Sequence, residues 1–403
     1  MIDSPGATGR VLPRRRAPGP FGRVAVATGV LLFTACGGQK TITVPLSGDG
    51  VSVEPVAQVD VPPLYGVHDT YVRDGIAFVC VWNAGLLIYD VGKGLAGGRP
   101  EAPMLLSSLV TAANGLPGPQ VHNAWWFHNP NTGERRYAFI GQEGPGSVGV
   151  SAAGDIHVVD VSDLRAPVEV AFFHLTGAGT HNFWMDEGAA ILYAGYYNAG
   201  VVALDVSGEL SGDLASRLVL QTTPGGDGSS YVWGVMLHRG GLYASDMLDG
   251  LYRLPPHGAT SPGIALGAVG ERYSSDLWLH GDWAFTGTWG YRLERGDAVN
   301  IWRLGDDDPR LRSTLVIPAI STVGDVEVSR DGRLLLVATE GGPNAGMHLF
   351  DVQTPDEPVH LARHVMVEGV HTATFGYVDG KTYVFAARNP PAPAMLIYDV
   401  SRF

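Results

Sequence analysis

One unit recurs seven times between residues 55 and 403. Each copy opens with a short strand led by a polar pair, continues with an apolar, aromatic strand, and ends in a third strand closing on Asp-Val or a worn form of it. The openings are Val67-His68-Asp69, Val121-His122-Asn123, Thr180-His181-Asn182, Val232-Trp233-Gly234, Ser274-Ser275-Asp276, Val323-Gly324-Asp325 and Val370-His371-Thr372. The third strands are clearest in Leu87-Ile88-Tyr89-Asp90-Val91, Ile156-His157-Val158-Val159-Asp160-Val161 and Leu396-Ile397-Tyr398-Asp399-Val400, and degraded in Gly250–Leu254 and Val299–Leu304. A period of about 50 residues that is β-rich throughout, with 55 glycines and 27 prolines to turn the chain, points to a repeat architecture of small sheets.

A fourth strand follows most copies, as in Pro167–Phe172 and Pro358–Ala362, but not the last. An orphan strand of the same type, Pro55-Val56-Ala57-Gln58-Val59-Asp60-Val61, precedes the first copy. An open solenoid needs a cap at each end, whereas a ring can use an N-terminal strand to complete its C-terminal sheet and so hide an exposed edge. The expectation is an all-β, seven-bladed β-propeller over residues 55–403, closed by an N-terminal strand that completes the last blade.

The Leu-Ile-Tyr-Asp-Val and Ile-His-Val-Val-Asp-Val units, with the openings His122-Asn123 and His181-Asn182, resemble the LVIVD repeat of bacterial surface and lipoprotein propellers. The resemblance covers nearly all of residues 55–403. It implies a propeller of the cell envelope and assigns no activity.

The N-terminus reads as an address. Residues 1–23 are basic, Val24–Ala35 is an apolar run shorter than a membrane span, and Phe33-Thr34-Ala35-Cys36 resembles a lipobox. Residues 1–35 are therefore expected to be a lipoprotein signal peptide. Cys36 is the expected lipidated residue, and residues 36–54 the flexible tether, leaving from the outer edge of the last blade. That implies export, a lipid anchor in a membrane, and a place on the outer membrane or cell surface. The chain carries −13; five arginines against Asp3 put +4 in the first 35 residues and leave −17 for the rest. So acidic a domain repels phosphate backbones, which argues against nucleic-acid binding. A monomer is expected. Cys80, in an apolar strand, reads as a buried inert thiol.

Repeat equivalence puts His68, His122, His181, Trp233, Ser275, Gly324 and His371 at one position of the seven innermost strands, followed by Asp69, Asn123, Asn182, Gly234, Asp276, Asp325 and Thr372. The four histidines fall on adjacent blades once the ring closes and form an arc at the channel mouth. Trp233, Asp276 and Asp325 are expected to face them. Imidazole and carboxylate suit Zn, Cu, Fe or Mn, and propeller enzymes with an axial metal on four histidines, the carotenoid cleavage oxygenases, share this layout though not their motifs. Repeated His and Asp residues more commonly hydrogen-bond strands within a blade, as in WD40 repeats. Strand alternation also suggests that only one of the two successive sets faces the channel. Trp125, Trp126, Trp184, Tyr196, Tyr197, Trp278, Trp283 and Trp289 offer a sugar-stacking surface or, more ordinarily, interblade packing. No Walker loop, His-Glu-x-x-His, Gly-x-Ser-x-Gly or Cys-x-x-Cys is present. The expected function is a non-enzymatic envelope scaffold for a protein or glycan. The alternative is a metal-dependent enzyme using His68, His122, His181 and His371.

Overall fold

The computed structural model describes residues 39–45, 50–61, 66–112, 119–144, 146–224, 230–254, 264–265, 272–290, 295–305 and 309–403. Cys36 and residues 1–35, the expected signal peptide, lie outside them. Seven sheets, each built on four antiparallel strands, follow one another along the chain as blades 1 to 7. Their innermost strands are Asp69–Arg73, Val121–Trp126, Phe183–Asp186, Val232–His238, Tyr273–His280, Thr322–Val328 and Val370–Val378. Each innermost strand contacts that of the next blade, and the seventh contacts the first, so the ring is closed. The architecture is a seven-bladed β-propeller.

The cause of closure lies in the middle strands. Ile76–Val81 and Tyr137–Gln142 are buried along their whole length. A strand covered on both faces needs a neighbouring blade on each side. Seven apolar clusters meet this need, each drawn from two adjacent blades, and the last joins blade 7 to blade 1 through Phe385, Ile397, Val79 and Tyr89.

The third-strand motif builds the same turn in each clear copy. The Asp carboxylate accepts the backbone N–H two residues on: Ser162 onto Asp160 at 3.0 Å, Ser207 onto Asp205 at 2.9 Å, Gln353 onto Asp351 at 2.8 Å and Ser401 onto Asp399 at 3.0 Å. Asp90 accepts four such bonds, from Gly92, Gly94, Ala96 and Gly98. The following valine is buried, and its N–H closes back on the start of the preceding strand, as Val352 does on the Arg333 carbonyl at 2.8 Å. The repeat signature is thus a device for building blades. Cys80 is fully buried with its thiol pushed upward by that burial, matching the sequence expectation.

Closure uses the strand that the sequence displaces to the front. Ala57–Asp60 pairs antiparallel with Ala394–Asp399, in register Ala57 to Ile397 and Asp60 to Ala394, and completes blade 7. The residues before it depart from expectation. A flexible tether is read into 36–54, yet β1 (Lys40–Thr43) lies parallel on the outer strand of blade 5 and β2 (Val51–Ser52) parallel on that of blade 6. The first, Lys-Thr-Ile-Thr, is short and polar and the second only two residues long, so composition conceals both. What fixes them is an unpaired outer edge with free N–H and C=O groups, helped by Val44 and Val53, which are buried in the clusters between blades 5 and 6 and between 6 and 7. The described chain therefore joins the ring at blade 5, not at blade 7 as the tether reading has it.

Two truncations separate these roles. Removing residues 39–53 takes away added edge strands and is expected to lower the urea midpoint modestly. Removing residues through 61 also takes away the closing strand, and is expected to abolish cooperative unfolding. Equal effects of the two truncations in urea melts would contradict closure by Ala57–Asp60.

Candidate functional site

Five of the seven innermost strands, those of blades 2, 4, 5, 6 and 7, carry a β-bulge at or beside the repeat position of the histidines. The register slips by one residue between Val121 and Asn123, Val232 and Gly234, Ser274 and Leu277, Val323 and Asp325, and Val370 and Ala373. A bulge leaves one residue unpaired and re-aims the side chains around it. Both successive sets therefore reach the axis, where strict alternation would have admitted one. They form layers: histidines at one mouth, and Asp69, Asn123, Asn182, Asp276, Asp325 and Thr372 below, lining a cavity.

The four histidines converge. Ring centroids are 4.5 Å apart for His68 and His371, 5.4 Å for His68 and His122, and 4.2 Å for His122 and His181. Trp233 continues the arc at 4.1 Å from His181, while Ser275 and Gly324 leave the opposite side small. Nitrogen atoms of His68, His122 and His371 come within 4.8 Å of one another, and ligand atoms of His122, Glu143 and His181 do likewise. Among the described residues these are the groups of three or more His, Cys, Asp or Glu with that geometry.

Their hydrogen bonding is not that of blade-bracing histidines. Nδ1 of His68, both ring nitrogens of His122 and Nδ1 of His181 are buried without a partner. A buried polar atom left unsatisfied costs about 1–3 kcal/mol, so four such atoms on three adjacent histidines need a reason. Burial, then the positive charge of neighbouring imidazoles, holds His68, His122 and His181 well below the usual histidine value. They are neutral near pH 7, the form that ligates metal. His371 goes the other way. Burial opposes its charge, but Glu340, accepting from Nδ1 at 3.1 Å, and the more distant Glu143 and Asp325 outweigh it and raise its value to about 9.

The supporting shell comes from the ends of the second strands and the turns after them. His68 stacks on Trp82 with centroids 4.0 Å apart. Glu143 lies 3.7 Å from His122 Nε2 and accepts a short hydrogen bond from the Tyr197 hydroxyl. Glu340 also accepts from Asn389 at 2.8 Å. Sequence reasoning missed Trp82, Glu143 and Glu340. They occupy one repeat position at the end of the second strand, Trp82 and Glu143 just after it and Glu340 its last residue, so aligning the copies there as well as at their openings would have exposed them.

Asp276 and Asp325 do not join the imidazoles as expected. Asp276 accepts from Asn182 Nδ2 at 2.6 Å and from the Val326 N–H at 3.3 Å, and Asp325 from the Ala373 N–H at 2.8 Å. Burial, with the charge of Asp325 beside it, pushes Asp276 well above the ordinary carboxyl value, and burial also raises Asp325. Asp69 rises to about 7 and Glu327 to about 8, in both cases chiefly by burial.

The aromatic set divides. Trp125, Trp184 and Trp278 line the cavity, with Tyr71 beside Trp125. Trp126 packs into the core between blades 1 and 2, Tyr196 into that between blades 2 and 3, and Trp283 against that between blades 5 and 6. Tyr197 and Trp289 cluster with Trp233 at the histidine mouth.

No protein-family model matches the chain, and no curated protein matches its sequence. In structure it is similar to a chain of the Mitotic Checkpoint Complex, with a TM-score of 0.62 and 11% identity over 93% of this chain and 99% of that one. It is also similar to Raptor of Chaetomium thermophilum, with a TM-score of 0.58 and 10% identity over 86% of this chain and 28% of that one. Such likenesses show the fold alone, and the chain spans little more than a quarter of Raptor.

Glu327 gives a test of the channel's electrostatics. Its value is raised on folding from 4.5 to about 8, so the protonated form contributes stability fully present below about 4.5 and lost as pH rises through about 8. Glu327→Gln, which cannot ionise, is expected to lose less stability over that window, the difference growing by up to about 1.4 kcal/mol per pH unit. Parallel pH profiles of urea stability for the two proteins would contradict this placement of the carboxyl.

Proposed function

We propose that this is a lipid-anchored propeller that holds a transition-metal ion at one mouth of its central channel. His68, His122 and His371 are the principal ligands, with His181 and Glu143 alongside. The carrying observation is the convergence of the imidazoles, with buried nitrogens of His68, His122 and His181 that have no protein partner; His371, held by Glu340, gives up its proton on ligation. Imidazole donors favour Zn, Cu or Fe over Mg or Ca. Glu340, fixed by Asn389 and accepting from His371, has the role of an outer carboxylate that orients a ligand ring. His68 and His371 are only partly buried. A three-imidazole site with that access leaves a position for water or substrate, the arrangement metal-assisted hydrolysis or oxidation requires. No substrate is assigned.

A protein-binding scaffold is the second possibility. It is supported by the fold, which a chain of the Mitotic Checkpoint Complex also carries. Export, anchorage through Cys36 and kinship with the LVIVD-repeat propellers rest on the sequence motifs. Incorporation of a fatty-acid label, lost in Cys36→Ala, is the expected outcome for the anchor.

Metal analysis of the protein purified without metal-affinity steps tests the main proposal. The expected content is about one transition-metal ion per chain, falling at least about tenfold in His122→Ala while circular dichroism and the melting transition persist. Content near zero after incubation with each candidate ion, or unchanged content in His122→Ala, would leave the scaffold role in possession.

A further inference from the structure

The second chamber of the channel has its own chemistry. A cavity of about 430 Å³ lies below the histidine layer, within the range of small-ligand sites. All seven innermost strands line it, and the four histidines do not. Its walls differ by side. On blades 1, 2, 3 and 5, Tyr71, Trp125, Trp184 and Trp278 form a stepped belt, with centroids 5.4 Å apart for Tyr71 and Trp125, 5.4 Å for Trp125 and Trp184, and 6.0 Å for Trp184 and Trp278. All four keep exposed ring surface. Asp69, Asp276, Asp325 and Glu327 supply four carboxyls to the same cavity.

Its own cations do not balance these. The cavity-lining Arg73 is bound by both guanidinium nitrogens to Glu187, and the Arg330 guanidinium lies over the Tyr377 ring, 4.3 Å from its centroid. Asn123, which is 4% exposed and lines the chamber, has a buried side-chain carbonyl oxygen with no partner. Among the described residues no three of these carboxyls bring oxygens close enough to share one ion. The chamber therefore has acceptors and π-faces without the geometry of a metal site.

We propose that this chamber binds an organic ammonium ion, its cationic head against the aromatic belt and its N–H or N–CH₃ groups toward Asp276, Asp325 and Glu327. A cation over Trp or Tyr faces is attracted by the ring quadrupole, and the attraction grows when water is excluded. Carboxyls facing the same space add Coulomb attraction at reduced dielectric once ionised, which for Glu327 is above about pH 8 and which a bound cation itself favours. The site is independent of the metal centre, and binding is measured with metal chelated so that the histidines contribute nothing.

The test titrates choline and 1,4-diaminobutane into the chelated full-length protein at about pH 9, where Glu327 is ionised, following tryptophan fluorescence and calorimetric heat. The neutral isostere 3,3-dimethylbutan-1-ol and N-acetylglucosamine serve as comparators. At least one of the two cations is expected to bind saturably and at least about tenfold more tightly than the neutral alcohol. Glu327→Gln and, separately, Trp278→Phe and Trp278→Leu are examined after their melting transitions show a folded ring. The first and last should weaken cation binding about tenfold, while Trp278→Phe retains most of it. Absence of binding by both cations, equal binding of the neutral isostere, or preference for the sugar would overturn the proposal. The last of these would make the belt a carbohydrate platform.

Discussion

Everything at the axis depends on a packing requirement at the periphery. The middle strands of each blade are apolar on both faces, so no blade satisfies itself, and burial is complete only when every blade has two neighbours. Seven clusters, each shared between adjacent blades, make the ring cooperative. At about 25 cal/mol per Å² of apolar surface, the interblade faces are the dominant favourable term, and none can be lost without exposing its partner. Closure through Ala57–Asp60 is the consequence, and closure brings seven equivalent strand positions to within ring-contact distance of one another.

That geometry turns sequence repetition into a site. A histidine recurring along a chain is unremarkable, but on adjacent blades of a closed ring it becomes a cluster. The β-bulge at the same position then allows the next residue to reach the channel too, and the axis acquires two chemistries in successive layers. Imidazoles lie at the mouth, with raised carboxyls and aromatic rings below. The small residues Ser275 and Gly324 complete the mouth on the side without histidines.

Much of the architecture was legible because repeats encode it in pairs of residues. Asp-Val marks a capped turn followed by a buried anchor, and the missing fourth strand of the last copy pointed to its replacement near Pro55. The four histidines and their neighbour Trp233 were legible for the same reason. Three features were not. The edge strands at 40–43 and 51–52 are too short and polar to signal themselves and depend on edges formed elsewhere. The bulge is a slip in pairing, invisible to a period-two reading, so Asp276 and Asp325 were assigned to the wrong layer. Glu143, just past its second strand, and Glu340, the last residue of its own, sit where the copies diverge most, and only their shared repeat position connects them.

The central claim is that converging imidazoles at the channel mouth are metal ligands and not bracing for the blades. Crystals of metal-loaded protein, measured on both sides of the absorption edge of the bound element, test it most directly. The account predicts one anomalous peak about 2.1 Å from nitrogens of His68, His122 and His371. A peak elsewhere, or none at the mouth in a crystal whose ring matches this one, would contradict it.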